Sequence, residues 1–307
     1  MNQPDAQPLK GILLSLTAFS LWACGDALVK YIGQRESIYA LAFWTEVVVI
    51  AILLMVGVSG RMGTLRHAVL NPHLKWYLLR GTLVFVQFMA GMYCFIHMEL
   101  AKAYTLIFTA PLLTALLAFL LMKETVGGMK CVAIALGFGG VLVVLRPGMI
   151  PLDVPSVMAL ISALTFALSN LTARHAGRKE GGSALGLVLV TELVVLAATI
   201  PLYLAHFSLP TAPDLLWITV TGTLGIIGFF SLTHAFTCAP AAIVAPFHYI
   251  QMLWALIFGY VFFSETPDRF TGLGAAIIIA RGLWLIRQER ITSDPLPEIL
   301  AVPAAEE

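Results

Sequence analysis

The sequence predicts an all-α membrane protein with ten transmembrane helices, arranged as two inverted repeats of five helices each. Three observations predict this class: an apolar composition, ten separate apolar stretches of spanning length, and an internal repeat. Hydrophobic residues make up 59% of the 307 residues and charged residues 11%, whereas soluble domains average roughly 45–50% and about 25%. The loops between the stretches are short, so no soluble domain is expected.

The apolar stretches are each about 17–24 residues long, enough to cross a hydrocarbon core of roughly 30 Å at about 1.5 Å per residue. They are continuous, whereas the strands of a membrane barrel alternate over about ten residues. Each stretch is therefore expected to be a helix, which pairs its own backbone groups inside lipid. The stretches lie near residues 11–31, 37–57, 74–96, 101–122, 129–145, 153–173, 184–205, 213–235, 240–262 and 270–288.

An internal repeat relates the two halves of the chain. The segment Ala101–Thr125 recurs as Ala242–Thr266. Further positions match in the same order: Asp26 with Asn170, Lys30 with Arg174, Thr45-Glu46 with Thr191-Glu192, and Glu124 with Glu265. Several matches in one order indicate duplication followed by divergence. Because each copy holds an odd number of spans, the two copies are predicted to face opposite ways across the bilayer.

The repeat sets the expected domain organisation. Residues 9–146 form the first five-helix repeat, residues 150–290 the second, and residues 291–307 a disordered cytoplasmic tail. Basic residues outside the spans concentrate in the loops and tails that share a side with the N-terminus, which predicts that both termini are cytoplasmic. We expect a multi-pass protein of a bacterial inner membrane.

Several other classes of protein lack support in the sequence. The cysteines Cys24, Cys94, Cys131 and Cys238 lie inside spans without metal-type spacing, so no metal site is expected. No catalytic motif of the G-x-S-x-G or H-E-x-x-H type and no phosphate-binding loop occurs, so we expect neither an enzyme nor a cofactor. A net charge of +1 gives no indication of a nucleic-acid partner.

Glu46 and Glu192 are the acidic residues deepest within predicted spans. Each lies about eight or nine residues into its span, roughly 12–14 Å deep, so neither can reach water by snorkelling. A charge at that depth costs at least about 2.5–3.5 kcal/mol on insertion scales. Two interpretations are open: a protonated acid that hydrogen-bonds between helices, or a group that contacts substrate or carries a proton.

Asp26 and Lys30 are four residues apart and could pair on one helix face. Lys30 and its repeat equivalent Arg174 lie near span ends, where we expect them to snorkel to the interface. Asp26 and Asn170 lie deeper, and each either lines a path or serves helix packing.

A further group of polar and amphipathic side chains lies within the spans. His248, Tyr249 and Gln251 give one helix an unusual polar density, and His234 lies in the preceding span. These groups either face a common cavity or bond between helices, and Arg80 could instead snorkel from the cytoplasmic end of its span. The set expected to face the cavity is Trp44, Arg80, Tyr93, His234, His248, Tyr249 and Gln251.

Pro111 and Pro246 interrupt the matched fourth and ninth spans. A proline leaves a backbone carbonyl unpaired, and such a group is tolerated where it lines a cavity or is paired again by a neighbour. The two prolines are therefore either breaks beside a binding site or packing kinks.

Three segments resemble the EamA family of the drug/metabolite transporter superfamily: L-R-G-T-L at Leu79–Leu83, L-A-K-A-Y-T-L-I-F-T-A-P-L ending in L-L-M-K-E-T at Leu100–Thr125, and A-P-F-H-Y-I-Q-M-L-W ending in S-E-T-P-D at Ala245–Asp268. The resemblance covers both repeats. Within the superfamily, the chain is most similar in pattern to the branch that contains S-adenosylmethionine and riboflavin uptake carriers. It implies ten helices with both ends cytoplasmic, a central cavity shared by the two halves, and secondary transport of a small metabolite.

One departure from the family bears on the substrate. Relatives often carry an aromatic-x-Arg in the second span, whereas this chain has Trp44-Thr45-Glu46. An acid at this position suits a cationic or zwitterionic substrate, or a proton.

The leading hypothesis is a secondary carrier that alternates access around a cavity built from the first four helices of each half. The fifth and tenth spans would then be scaffold or homodimer contacts. A membrane-embedded enzyme or flippase for a lipid-linked substrate would gather acids or histidines at one membrane face, whereas these acids lie at the midplane. A scaffold or receptor would not need paired buried carboxylates.

Overall fold

In a computed structural model, the described residues are 8–58, 74–122, 128–146, 152–177, 184–239 and 241–289. Regular structure within these ranges is helical throughout. The helices are α1 (Pro8–Gly33), α2 (Ile38–Val58), α3 (Leu74–His97), α4 (Leu100–Ile107), α5 (Ala110–Met122), α6 (Gly128–Leu145), α7 (Val154–Gly177), α8 (Ala184–Ala205), α9 (Ala212–Cys238), α10 (Ala241–Val244), a 3₁₀ turn (Ala245–Tyr249), α11 (Ile250–Phe263) and α12 (Arg269–Glu289). The C-terminal tail expected to be disordered lies outside the described residues.

Seven helical stretches within these ranges are long and apolar enough to cross a membrane, so the chain is a multi-pass membrane protein. They are Leu9–Gly33, Ile38–Met55, Leu74–His97, Leu100–Leu121, Val154–Ala176, Leu187–Ala205 and Ala212–Cys238. They coincide with the first four expected spans and with the sixth to eighth. The shorter apolar helix Phe247–Phe263 occupies the ninth position, while α6 and α12 occupy the fifth and tenth.

The fourth and ninth stretches are each broken into two helical pieces. The break after α4 falls at Phe108 and Thr109, and the break before α11 is the 3₁₀ turn that ends at Tyr249. Pro111 stands second in α5, and Pro246 stands second in the 3₁₀ turn. A proline lacks the N–H that a helix leaves unpaired in its first turn, so each proline begins a helical piece.

Most helix packing joins the first half of the chain to the second. Helix α1 lies along α9, α3 along α7, α2 against α8, and α6 against α12. Glycines permit close approaches: a Cβ on Gly81 would lie 2.6 Å from Val194 Cβ, and one on Gly228 would lie 2.6 Å from Trp22 Nε1. Small residues bring membrane helices together in this way.

We call the end of the bundle where α1 ends the distal face, and the end where α1 begins the proximal face. The largest buried apolar cluster lies towards the distal face and includes Ile32, Leu41, Cys94, Leu100 and Leu106. Cys24, Cys94 and Cys238 are free thiols.

Candidate functional site

Two acidic residues from neighbouring helices meet inside the bundle. Glu46 lies on α2 and Glu192 on α8, each about eight residues, or roughly 12 Å, into its helix. Glu46 is 4% exposed, Glu192 is half-buried, and the two carboxyl groups interact with each other. The structure therefore brings together the two acids that the repeat aligns.

Arg80 of α3 completes this group. Its Nη1 donates a hydrogen bond to Thr191 Oγ1 at 2.6 Å, and its positive charge interacts with Glu192. Thr191 is held in place because its hydroxyl also donates to Leu187 O at 2.6 Å. Arg80 thus points to the interior and does not simply snorkel to the proximal face. We call Glu46, Glu192, Arg80 and Thr191 the carboxylate cluster.

Several polar atoms in and beside the carboxylate cluster are buried without a hydrogen-bond partner among the described residues. They are Trp44 Nε1, Thr45 Oγ1, Glu46 Oε2 and Arg80 Nε. Leaving one such group unpaired costs about 1–3 kcal/mol, and native structures contain few of them. These atoms include N–H donors and a carboxylate acceptor, so a polar ligand or a water molecule could satisfy them, and Glu46 Oε2 could also take a proton.

A second group of side chains surrounds the helix breaks. The Tyr104 hydroxyl donates a hydrogen bond to Asp26, and the Tyr104 ring lies 5.7 Å from that of Phe108. His248 stacks on Phe19 with 4.8 Å between centroids and meets Phe108 edge-on at 5.0 Å. Tyr249 also meets Phe108 edge-on, at 5.4 Å, and buried Gln251 contacts His248. We call Phe19, Tyr104, Phe108, His248 and Tyr249 the aromatic cluster.

Comparison with known proteins identifies the family of the chain. Residues 9–146 and 155–287 match the model of the EamA-like transporter family. The chain belongs to that family. It is similar to the S-adenosylmethionine uptake transporter of Rickettsia prowazekii, at 26% identity over 94% of this chain and 97% of that protein. It is also similar to the riboflavin transporter of Brucella anthropi, at 27% identity over 91% of this chain and 99% of that protein.

One solved crystal structure shares the fold, with a TM-score of 0.64 at 16% identity, over 92% of this chain and 99% of that chain. With its apolar helices, membership of the family makes the chain a membrane transporter for a small metabolite.

For two of the expected cavity residues of this EamA-like transporter, the described contacts are within their own helix and not with either cluster. Tyr93 stacks on His97 of its own helix at 4.2 Å. His234 is exposed, and its described contacts are with Thr237 and Cys238 one turn away. Asn170, the repeat equivalent of Asp26, is half-buried on α7.

The expectation for Lys30 is wrong. Lys30 neither pairs with Asp26 nor snorkels to the interface: it is 8% exposed, and its Nζ lies 2.6 Å from Glu265 Oε1 and 2.5 Å from Met98 O. The partner, Glu265, comes from the other half of the chain, whereas the spacing of residues on a helix predicts only contacts within that helix.

Sequence reasoning also missed Phe19, Tyr104, Phe108 and Thr191. A signal existed for Phe108, because the match of Ala101 with Ala242 places Phe108 opposite Tyr249. No comparable signal pointed to Phe19. As for metals, the described part of the chain contains no group of three or more His, Cys, Asp or Glu residues able to hold an ion.

Proposed function

We propose that the chain is a secondary transporter that moves a small metabolite by alternating access at a midplane cavity between two inverted five-helix repeats. The observation that carries this proposal is the meeting of two acids, buried Glu46 and half-buried Glu192, beside unpaired polar atoms. An acid held away from water and left partly unpaired is expensive, so a transporter keeps it for a proton or a cation that binds there.

The packing of the helices supports an inverted repeat. In the proposed repeat, α1 corresponds to α7, α2 to α8, α3 to α9 and α6 to α12. Exchanging the two halves therefore turns the α1–α9 pair into the α7–α3 pair. The pairs α2–α8 and α6–α12 become themselves. All of these pairs pack in the structure. The proposed repeats span residues 9–146 and 150–290.

Individual residues support the same symmetry. A two-fold axis places residues near it beside their own equivalents, and transporter sites are found at such repeat interfaces. Glu46 interacts with its equivalent Glu192, and Phe108 meets its equivalent Tyr249. The two helix breaks also fall at these matched positions, Phe108 and Tyr249.

The substrate we propose combines a planar heteroaromatic ring with a positive charge. The aromatic cluster offers ring faces and edges at stacking distances, while Asp26, Glu46 and Glu192 offer negative charge. The relatives named above carry S-adenosylmethionine and riboflavin. S-adenosylmethionine has both features, because its adenine ring is linked to a sulfonium cation.

We place the protein in a bacterial inner membrane with both termini in the cytoplasm, so that the distal face is outside. Reporter fusions after Glu307 and in the loop around Arg66 should report cytoplasm, and a fusion near Pro210 should report the outside. Opposite locations for the two termini would exclude an even number of spans.

The function is tested by uptake into proteoliposomes that contain the purified protein. Labelled S-adenosylmethionine and riboflavin are supplied with and without a pH gradient. We expect saturable uptake of S-adenosylmethionine that is lost in Glu46→Gln and retained in Glu36→Gln. Glu36 is a half-buried distal acid whose Oε1 accepts a hydrogen bond from Thr211 N, so this change is the matched control. Uptake of neither compound under any gradient would refute this substrate class. Equal uptake by Glu46→Gln and wild type would refute the role of Glu46.

A further inference from the structure

Four ion pairs among the described residues share one polarity. Each takes its base from the first half of the chain and its acid from the second: Lys30 with Glu265, Arg35 with Asp214, Lys102 with Asp153, and Arg146 with Asp268. All of them lie at the distal face, near the ends of α1, α3, α6 and α11 or the starts of α7, α9 and α12. The two halves are therefore joined there by positive charge from one and negative charge from the other.

The Lys30–Glu265 pair differs from the others in burial. Its side chains are 10% and 9% exposed, whereas each of the other pairs has one partner that is 44%, 49% or 45% exposed. Exposed pairs contribute little to stability and weaken in salt. A buried pair is costly to break by removing one partner, because the remaining charge then lacks compensation.

Backbone groups at helix ends complete the Lys30–Glu265 pair. Lys30 Nζ donates to Met98 O at 2.5 Å, and Glu265 Oε2 accepts from Leu100 N at 2.9 Å. Ser264 adopts a left-handed conformation with φ of 55° just after α11, which turns the chain so that Glu265 N bonds Gly259 O at 2.9 Å. Gly259 leaves room for the acid, since a Cβ there would lie 2.6 Å from Glu265 Oε2.

We infer that Lys30 and Glu265 form the latch of a distal gate, and that the exposed ion pairs guide the two halves into register as the gate closes. This inference rests on the proposed alternating-access cycle. The latch ties α1 to α11 about one helical turn, or roughly 6 Å, distal to Asp26. Closure at this point separates the aromatic cluster from the distal solution.

Asp26 supplies the replacement partner when the gate opens. In the closed arrangement Lys30 is bound to Glu265 and Asp26 to Tyr104. Asp26 lies four residues before Lys30, a spacing that lets the two side chains meet on one helix face. Lys30 therefore exchanges an inter-half partner for one on its own helix and keeps its charge compensated.

The test uses Cys24 as a reporter beneath the latch. Cys24 is half-buried on α1 and lies close enough to Asp26 and Tyr104 to interact with both. In a protein whose other cysteines are changed to alanine, reaction of Cys24 with a membrane-impermeant maleimide is followed from the distal side of reconstituted vesicles. Glu265→Gln should raise the labelling rate about tenfold or more, because the closed state loses its buried ion pair. The exchange Lys30→Glu with Glu265→Lys should return the rate towards the wild-type value.

Gly259→Ala tests the latch with both charges present. The new methyl group displaces the Glu265 carboxylate, and labelling should again accelerate. Gly272→Ala is the matched control, since a Cβ there meets nothing within 4 Å, and Asp153→Asn is the control for loss of an exposed pair.

An unchanged rate in both Glu265→Gln and Gly259→Ala would overturn the latch, as would equal acceleration in Asp153→Asn. Labelling needs no transported substrate, so this result is separate from success or failure of the uptake assay.

Discussion

The latch and the carboxylate cluster both bury charge, and they differ in how completely that charge is paired. In the latch, Lys30 contacts Glu265 and Met98 O, and Glu265 also accepts from Leu100 N. In the carboxylate cluster, Glu46 Oε2 and Arg80 Nε have no hydrogen-bond partner in the described ranges. Buried polar groups are normally satisfied, and the unpaired atoms fit the binding place proposed for this cluster.

Position along the helices explains this difference. The latch lies where helices end, and there the backbone leaves N–H and C=O groups free to complete the pairing of a charge. Glu46 and Glu192 lie within α2 and α8, where the backbone groups are already used by the helices. Only side chains can then pair the charge. The charge of Arg80 acts on Glu192, and Glu46 Oε2 is left unpaired.

The largest loss of stability is expected from Lys30→Met. This change leaves the Glu265 carboxyl buried without a counter-charge, which costs about 3–5 kcal/mol. Lys102→Met removes the base of the more exposed pair with Asp153, and its cost should be about 0–1 kcal/mol. Thermal unfolding in detergent measures both. Equal unfolding temperatures for the two variants would contradict the distinction between buried and exposed pairs.

A smaller loss of stability is expected from Glu192→Gln. The change removes the negative charge that faces Arg80, and the cost should be about 1–3 kcal/mol, as for a hydrogen-bonded charged group. The same unfolding experiment measures it. If Glu192→Gln unfolds like the wild type, Arg80 is neutralised by another group and the asymmetry between the two acids disappears.

Glu46→Gln should cost less than about 1 kcal/mol, because the amide keeps the shape of the acid and one of its oxygens is already unpaired. Its effect should fall on transport, with loss of flux or of the pH dependence of flux. Parallel unfolding and uptake measurements on Glu46→Gln and Glu192→Gln separate the two roles. Wild-type flux and unchanged pH dependence in Glu46→Gln would leave this acid with a structural role only.

Much of the architecture follows from patterns that the sequence carries locally. Continuous apolar stretches predict the helices, and the repeat aligns Glu46 with Glu192, which the structure brings into contact. The partner of Lys30 did not follow from such patterns. Spacing on a helix face reports only neighbours three or four residues away, which suggested Asp26, whereas the actual partner Glu265 belongs to the other half.

The site was predictable only in part for a similar reason. Depth within a span singles out Glu46 as a candidate without any knowledge of its neighbours, because a charge at that depth is costly. Phe19 and Tyr104 resemble any other aromatic residue of an apolar helix, and their place in the site depends on contacts with His248 and Asp26 that only the folded chain provides.

The smallest effect is expected from Thr45→Val, the substitution that tests the unpaired atoms most directly. Thr45 Oγ1 is buried without a described partner, and valine has nearly the same shape. Losing an unpaired hydroxyl should leave stability unchanged or raise it by up to about 1 kcal/mol. Thr105→Val is the control, because its fully buried hydroxyl donates to Ala101 O at 2.7 Å and its loss should cost about 0.5–1.5 kcal/mol.

Thermal unfolding with and without S-adenosylmethionine completes the test. If Thr45 contacts the substrate, Thr45→Val should be as stable as the wild type without the ligand, and the ligand should stabilise it less. Equal destabilisation by both substitutions would mean that the Thr45 hydroxyl is already paired, and the contrast with the latch would then rest on Glu46 and Arg80 alone.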